Sequence, residues 1–280
     1  MLVGMKFVSR PPKYDPMLRS LVALILIALV SPVVDAQNNG LPKNQKDFHL
    51  YLLIGQSNMA GRGAVTDADK TPIPNILMLN QQNQWVPAVD PIHFDKPNIV
   101  GVGLGRTFAI EIAKQNPDAV IGLIPCAVGG SPIASWEPGG YHSETKTHPY
   151  DEMLPRLLMA MKVGTLKGIL WHQGESDCQP QLSEVYESKL HTLIARLRTE
   201  VGDPNVPIVV GQMGQFPERP WNDDKKRVDA VHRNLPDQVS RTAFVNSDDL
   251  EHKGDNIHFN AESYRELGRR YANAYQTLVD

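Results

Sequence analysis

Cysteine, aromatic residues and charge of a single sign are all scarce in this 280-residue chain, and each scarcity excludes a class of protein. Two cysteines, Cys126 and Cys178, are too few for a disulfide scaffold or a four-thiolate zinc site. They either pair with each other or remain buried thiols. Lys and Arg number 28 against 31 Asp and Glu, and a net charge of −3 offers no basic field to nucleic acid. Low-complexity tracts, internal repeats and interdomain linkers are missing, so disorder and coiled coil are excluded. What remains is globular: 41% hydrophobic and 21% charged residues, enough apolar mass for one large core.

Long hydrophobic runs are also lacking. The longest, residues 21–30 (LVALILIALV), falls short of the roughly 20 apolar residues a bilayer span needs. Lys6, Arg10, Lys13 and Arg19 precede it, and the small residues of Val34-Asp35-Ala36 follow. That order reads as a signal peptide over 1–36, with Met17 as an alternative start and a mature domain over 37–280. A secreted or periplasmic protein is expected, with no membrane span in the mature chain.

Beyond residue 47 the pattern alternates. Near-continuous apolar runs at 49–54, 76–79, 119–124, 168–171, 206–210 and 243–245 predict buried strands. Helical spacing marks 101–115 after its opening glycines, then 150–163, 182–201, 224–235 and 261–278. Repeated β-α order predicts an α/β domain with a mostly parallel sheet and helices on both faces. The polar stretch 61–98 reads largely as surface loops around a site.

Chemistry gathers where strands end. Gly55-Gln56-Ser57-Asn58, Gly129-Gly130-Ser131 and His172-Gln173-Gly174-Glu175 each follow a strand, and Asp255-Asn256-Ile257-His258 precedes the last helix. Carboxyl ends of parallel strands face one crevice, so the four clusters should converge. Ser57 is the candidate nucleophile, because it follows a buried strand through a glycine whose neighbourhood leaves backbone N–H groups free. A serine there also suits a helix cap. The G-x-S-x-G elbow is absent, since Met59 stands at its second glycine. His258 is the candidate base, with Asp255 three residues earlier to fix its tautomer. Gln173 and Gly130, or Gly129 in its place, are candidate oxyanion donors. Gln56, Asn58, His172 and Glu175 flank these groups, and Glu175 is a reserve acid. Trp136 is the better candidate for lining a sugar pocket, whereas Trp171 suits the core. Gly101-Val102-Gly103-Leu104-Gly105 resembles a dinucleotide loop, yet Arg106 replaces its last glycine and no strand precedes it. A metal reading would use Asp248, Asp249, His252, Asp255 and His258, whose spacing fits no ligand pattern.

The motifs Gly55-Gln56-Ser57-Asn58-Met59-Ala60-Gly61, Gly129-Gly130-Ser131-Pro132-Ile133 with Trp136, His172-Gln173-Gly174-Glu175-Ser176-Asp177 and Asp255-Asn256-Ile257-His258 resemble the sialate O-acetylesterase-like (SASA) domain. That domain belongs to the SGNH hydrolase superfamily and includes the family 6 carbohydrate esterases. The resemblance spans about residues 48–278. It implies a flavodoxin-like three-layer α/β/α fold and removal of acetyl groups from sugars without metal or cofactor. It further implies Ser57 as nucleophile, His258 as base and Asp255 as orienting acid. The Ser57 N–H, the Gly130 N–H and the Gln173 amide would form the oxyanion hole. Many superfamily members carry Asn as third donor; Gln173 in that block points to carbohydrate substrates. The expected partner is an acetylated carbohydrate of acetylxylan or sialate type, with no bearing on oligomeric state. Two other readings stand beside it: a non-catalytic carbohydrate-binding protein of the same fold, and a metal-dependent phosphodiesterase.

Overall fold

Phe48–Gly55 (β1) shows why the fold takes its form. Phe48, Leu50, Leu52 and Ile54 face one hydrophobic cluster, while Tyr51 and Leu53 face another. Successive side chains of a strand point to opposite faces, so a strand apolar on both must be covered on both. In the computed structural model, which describes Met1 and residues 41–280, β1 lies at the centre of a seven-stranded sheet. The signal peptide expected over 1–36 lies outside the described residues.

The other strands are Ile76–Leu79 (β2), Trp85–Pro87 (β3), Val120–Pro125 (β4), Thr165–His172 (β5), Ile208–Gly211 (β6) and Thr242–Val245 (β7). Their order is β3-β2-β4-β1-β5-β6-β7, parallel except for β3, which runs antiparallel to β2. The helices are Ser57–Ala60 (α1), Leu104–Gln115 (α2), Pro149–Ala160 (α3), Leu182–Val201 (α4), Asp223–Gln238 (α5) and Ala261–Val279 (α6). α2 and α6 supply one covering layer: Gly268 of α6 approaches so closely that a Cβ would lie 2.5 Å from Leu104 O. α3, α4 and α5 supply the other. This is the expected three-layer α/β/α domain.

Element by element, expectation and structure differ at the edges. Helix α3 ends at Ala160, three residues before the predicted end, in a turn closed by Met161 N donating to Leu157 O at 3.0 Å. Strand β3 was hidden in the stretch read as loops, because three residues are too short to show a period. Among the described residues no helix is long and apolar enough to cross a membrane. Cys126 and Cys178 are free thiols, which closes the pairing alternative. The chain moves from one side of β1 to the other between β4 and β5, so the sheet's switch point lies beside β1's carboxyl end.

Candidate active site

At that switch point β1 ends in Gly55, with φ +130°, a region closed to residues bearing a Cβ. A Cβ there would stand 2.1 Å from His172 O, so glycine is what lets the ends of β1 and β5 meet. Gln56 N donates to His172 O at 2.9 Å, and Gln56 Oε1 accepts from Gly174 N at 3.2 Å. Gln56 is thus a buried strut between the two strand ends. Ser57 opens the single-turn helix α1, so its own N–H lies outside the intrahelical ladder and has no partner among the described residues.

Ser57 Oγ stands 3.0 Å from His258 Nε2, and His258 Nδ1 stands 2.7 Å from Asp255 Oδ2. Both latter residues occupy the loop between β7 and α6. Asp255 Oδ1 accepts the backbone N–H of Ile257 at 3.0 Å and of His258 at 2.8 Å, an Asx-type turn that folds the loop about the carboxylate. Partial burial works against this carboxylate. The hydrogen bonds from His258 and Ile257 outweigh it and hold the Asp255 carboxyl down at about 2. An ionised Asp255 accepts Nδ1–H, which leaves the Nε2 lone pair toward the Ser57 hydroxyl.

Asn58 holds the two halves together. Its Nδ2 donates to Glu175 Oε1 at 2.7 Å and to Ile257 O at 3.1 Å, while its Oδ1 accepts from Tyr264 OH at 2.7 Å. One fully buried amide therefore ties α1, the β5 loop, the His258 loop and α6 to one another. Glu175 serves as its anchor, and its other oxygen, Oε2, is buried without a partner among the described residues.

The glycine pair separates cleanly. Gly129 N donates to Asp95 Oδ2 at 2.8 Å, whereas Gly130 N has no partner among the described residues. Gly130 takes φ +86°. Of the two alternatives, Gly130 is the one with a free N–H.

Two expectations need correction. Gln173 Nε2 donates to Ser131 O at 3.1 Å and to Asp177 Oδ2 at 2.5 Å, so both amide hydrogens are committed to the interior. Its Oε1 accepts from Tyr186 OH at 2.8 Å, and Tyr186 OH meets His232 Nε2 at 2.9 Å. The expected third oxyanion donor is here a fully buried strut under Ser131. Trp136 lines no sugar pocket: it is fully buried, packs edge-to-face on Trp171 at 5.5 Å, and donates Nε1–H to Ser131 Oγ at 3.0 Å. His172, which flanks Gln173, is fully buried and meets Tyr271 OH through Nδ1 at 3.0 Å, and burial lowers its pKa to about 4.

The metal reading finds no support in the side chains. Asp255 and His258 bond each other, and among the described residues no three His, Cys, Asp or Glu groups converge as a cation site. Two cavities open nearby, one beside the His258 loop and one beside Asp95 and Val128. One of about 190 Å³ is lined by Glu175, Arg219, Lys225, Asn256 and Ile257. Another of about 180 Å³ is lined by Asp95, Val128, Thr145, Thr147 and Arg156. The buried pair Arg62–Asp95, which holds Gly129, went unnoticed in the sequence. Two residues 33 apart in a loop-rich stretch follow no period that would announce them.

A doubly wound α/β sheet with a hydroxyl, an imidazole and a carboxylate in line at its switch point is the framework of a hydrolase. The comparisons make that class specific. A family model described as carbohydrate esterase, sialic acid-specific acetylesterase, matches residues 47–277. A probable carbohydrate esterase of Arabidopsis thaliana is 32% identical over 259 residues, covering 84% of this chain and 91% of that protein. The crystal structure of an Arabidopsis protein of the same designation superposes with TM-score 0.73 at 31% identity, over 82% of this chain and 98% of that one. NanS (TM-score 0.66, 16% identity, 84% and 99% covered) and a carbohydrate acetylesterase from Xanthomonas citri (0.63, 19%, 83% and 56%) share the fold. The chain belongs to this carbohydrate esterase family and is a carboxylic ester hydrolase.

Proposed function

We propose that this esterase removes acetyl groups from sugar hydroxyls, of acetylxylan or sialate type, through an acyl-enzyme on Ser57. The observation that carries the reading is the 3.0 Å approach of Ser57 Oγ to His258 Nε2, with Asp255 on the far side of the ring. His258 takes the hydroxyl proton as Oγ attacks the acetyl carbonyl. The free N–H groups of Ser57 and Gly130 receive the developing oxyanion. The collapsing intermediate expels the sugar oxygen, which takes its proton from His258. Water, deprotonated by the same imidazole, then attacks the acetyl ester; acetate is freed as Ser57 Oγ leaves and takes the proton back from His258.

The cavity beside the His258 loop supports a polar leaving group. Arg219 and Lys225 offer donors there beside Asn256, a lining suited to hydroxyl groups. The N-terminal signal pattern supports action outside the cytoplasm.

The test is acetate release from acetylated xylan, O-acetyl sialic acid and p-nitrophenyl acetate, measured side by side with Ser57→Ala. Release by the wild type, abolished in the variant, is the expected result. Near-normal turnover by Ser57→Ala would remove the acyl-enzyme, and silence on all three esters would remove the substrate class.

A further inference from the structure

Arg62 and Asp95 make an ion pair at 2.7 Å, with side chains 2% and 1% exposed. Withdrawing two charges from water carries a penalty of several kcal/mol per ion, and mutual attraction does little more than offset it. A packed apolar pair would serve stability as well, so the bonds that leave the pair are the informative feature.

Arg62 Nη1 donates to Gly61 O at 2.7 Å, at the end of the turn that begins with Ser57. Asp95 Oδ2 accepts Arg62 Nη2–H and, at 2.8 Å, Gly129 N–H. Gly129 lies directly on the pair: a Cβ there would be 2.3 Å from Arg62 Nη2 and 2.7 Å from Asp95 Oδ2. The next N–H along the chain is that of Gly130. An unbroken path of hydrogen bonds, Gly61 to Arg62 to Asp95 to Gly129, therefore joins the turn bearing the hydroxyl to the peptide bearing the free donor.

We propose that Arg62 and Asp95 are positioning residues that fix the Gly130 N–H relative to Ser57 Oγ, an inference that rests on reading Gly130 as an oxyanion donor. Neither side chain needs to touch substrate. The guanidinium fork suits the task because it reaches the Gly61 carbonyl and the carboxylate at once, which a lysine ammonium on its flexible stem does not. The carboxylate suits it because one oxygen accepts from two donors.

Neutral double variants separate positioning from stability. Arg62→Met with Asp95→Leu removes the charges and the acceptor for Gly129; Arg62→Met with Asp95→Asn removes the charges and keeps an acceptor. Readouts are kcat and KM for p-nitrophenyl acetate, the rate of Ser57 labelling by an organophosphonate, and Tm. The Leu pair should lose on the order of 10²-fold in kcat, as for a misplacement of about 1 Å, with labelling slowed in parallel and KM nearly unchanged. The Asn pair should recover to within about tenfold of wild type on the same scale. If the Leu pair does not fold, Arg62→Lys, which retains charge balance, should still show a kcat loss of about tenfold with KM unchanged, the fork being lost. Wild-type kcat and labelling in folded Leu-pair or Arg62→Lys protein would overturn the proposal, as would equal losses in the Leu and Asn pairs. A wild-type protein that neither cleaves the ester nor takes the label fails the esterase reading instead, so the two failures are distinguishable.

Discussion

Asp255 grips His258 at two points: Oδ2 takes the imidazole Nδ1–H at 2.7 Å, and Oδ1 takes the backbone N–H of the same residue at 2.8 Å. Ring and backbone are held by one carboxylate, so the imidazole has little freedom to turn away from Ser57. Asp255→Asn keeps the shape and reverses the polarity. An amide donating to Nδ1 forces the proton onto Nε2, where it can no longer accept from the hydroxyl. Acetate release per folded molecule should fall on the order of 10⁴-fold. Steady-state kinetics with calorimetry checks this.

The same carboxyl sets an acid limit. Its pKa in the fold, about 2, lies below that of an unfolded aspartate, near 3.9. A depressed folded value gives stability that is present above pH 4 and lost as pH falls toward 2. Wild-type Tm should therefore drop toward that of Asp255→Asn between pH 4 and pH 2. A gap that persists undiminished down to pH 2 would contradict the assignment.

Gly130→Ala tests the free donor. A Cβ would press on the end of the Glu144 side chain, 3.0 Å away, which can swing aside, and would rest on the His142 ring at 3.6 Å. The obstacle is φ +86°, a left-handed conformation costing an alanine about 1–2 kcal/mol. Relief of that strain turns the peptide, and loss of one oxyanion donor should lower kcat by about 10²–10³-fold. Kinetics on an aryl acetate, where sugar contacts are absent, measures it directly.

Gln173 and Asp177 make opposite predictions. Gln173→Ala takes one partner from the Tyr186 hydroxyl, which keeps His232, and one of the donors to Asp177, at about 1 kcal/mol for each lost bond, so Tm should fall. kcat per folded molecule should stay within about tenfold of wild type, because the amide faces the interior. Burial pushes the Asp177 carboxyl up to about 6, against the hydrogen bonds of Gln173 and Ile133. A raised folded value means stability that is present below pH 4 and lost as pH rises through 6. Asp177→Asn keeps an acceptor for both donors, and it should raise Tm at pH 8 and leave it unchanged at pH 4. Paired melting curves decide the matter.

Trp136→Phe removes the bond to Ser131 Oγ and part of the packing on Trp171. Destabilisation of about 1–3 kcal/mol is expected, with KM for an acetylated sugar unchanged. A KM that rises while Tm holds would return this indole to the substrate.

Strand and helix were legible wherever a period ran long enough. Helix 182–201 appears at its predicted bounds, because twenty residues repeat one amphipathic pattern. β3 escaped notice because its three residues repeat nothing. Ser57, Asp255 and His258 could be picked out because their clusters fall at a strand end and before the last helix and together resemble one family's motifs; Asp-x-x-His alone also occurs at 90–93, 229–232 and 249–252. Gln173 and Trp136 were placed wrongly for the same reason. Both stand beside motif residues in sequence, yet their side chains turn inward, and the direction of a side chain off an irregular loop has no period to reveal it.

By itself, the sequence determined the order of strands and helices, the sheet's two buried faces and the short turns that follow its strands, since each depends on neighbours within a few residues. Tertiary structure alone decided which N–H groups stay free, where the amide of Gln173 is committed, and that Arg62 reaches across to Asp95. Those outcomes arise from hydrogen bonds between segments tens to hundreds of residues apart, and such bonds come into being only when the packed sheet brings the loops together.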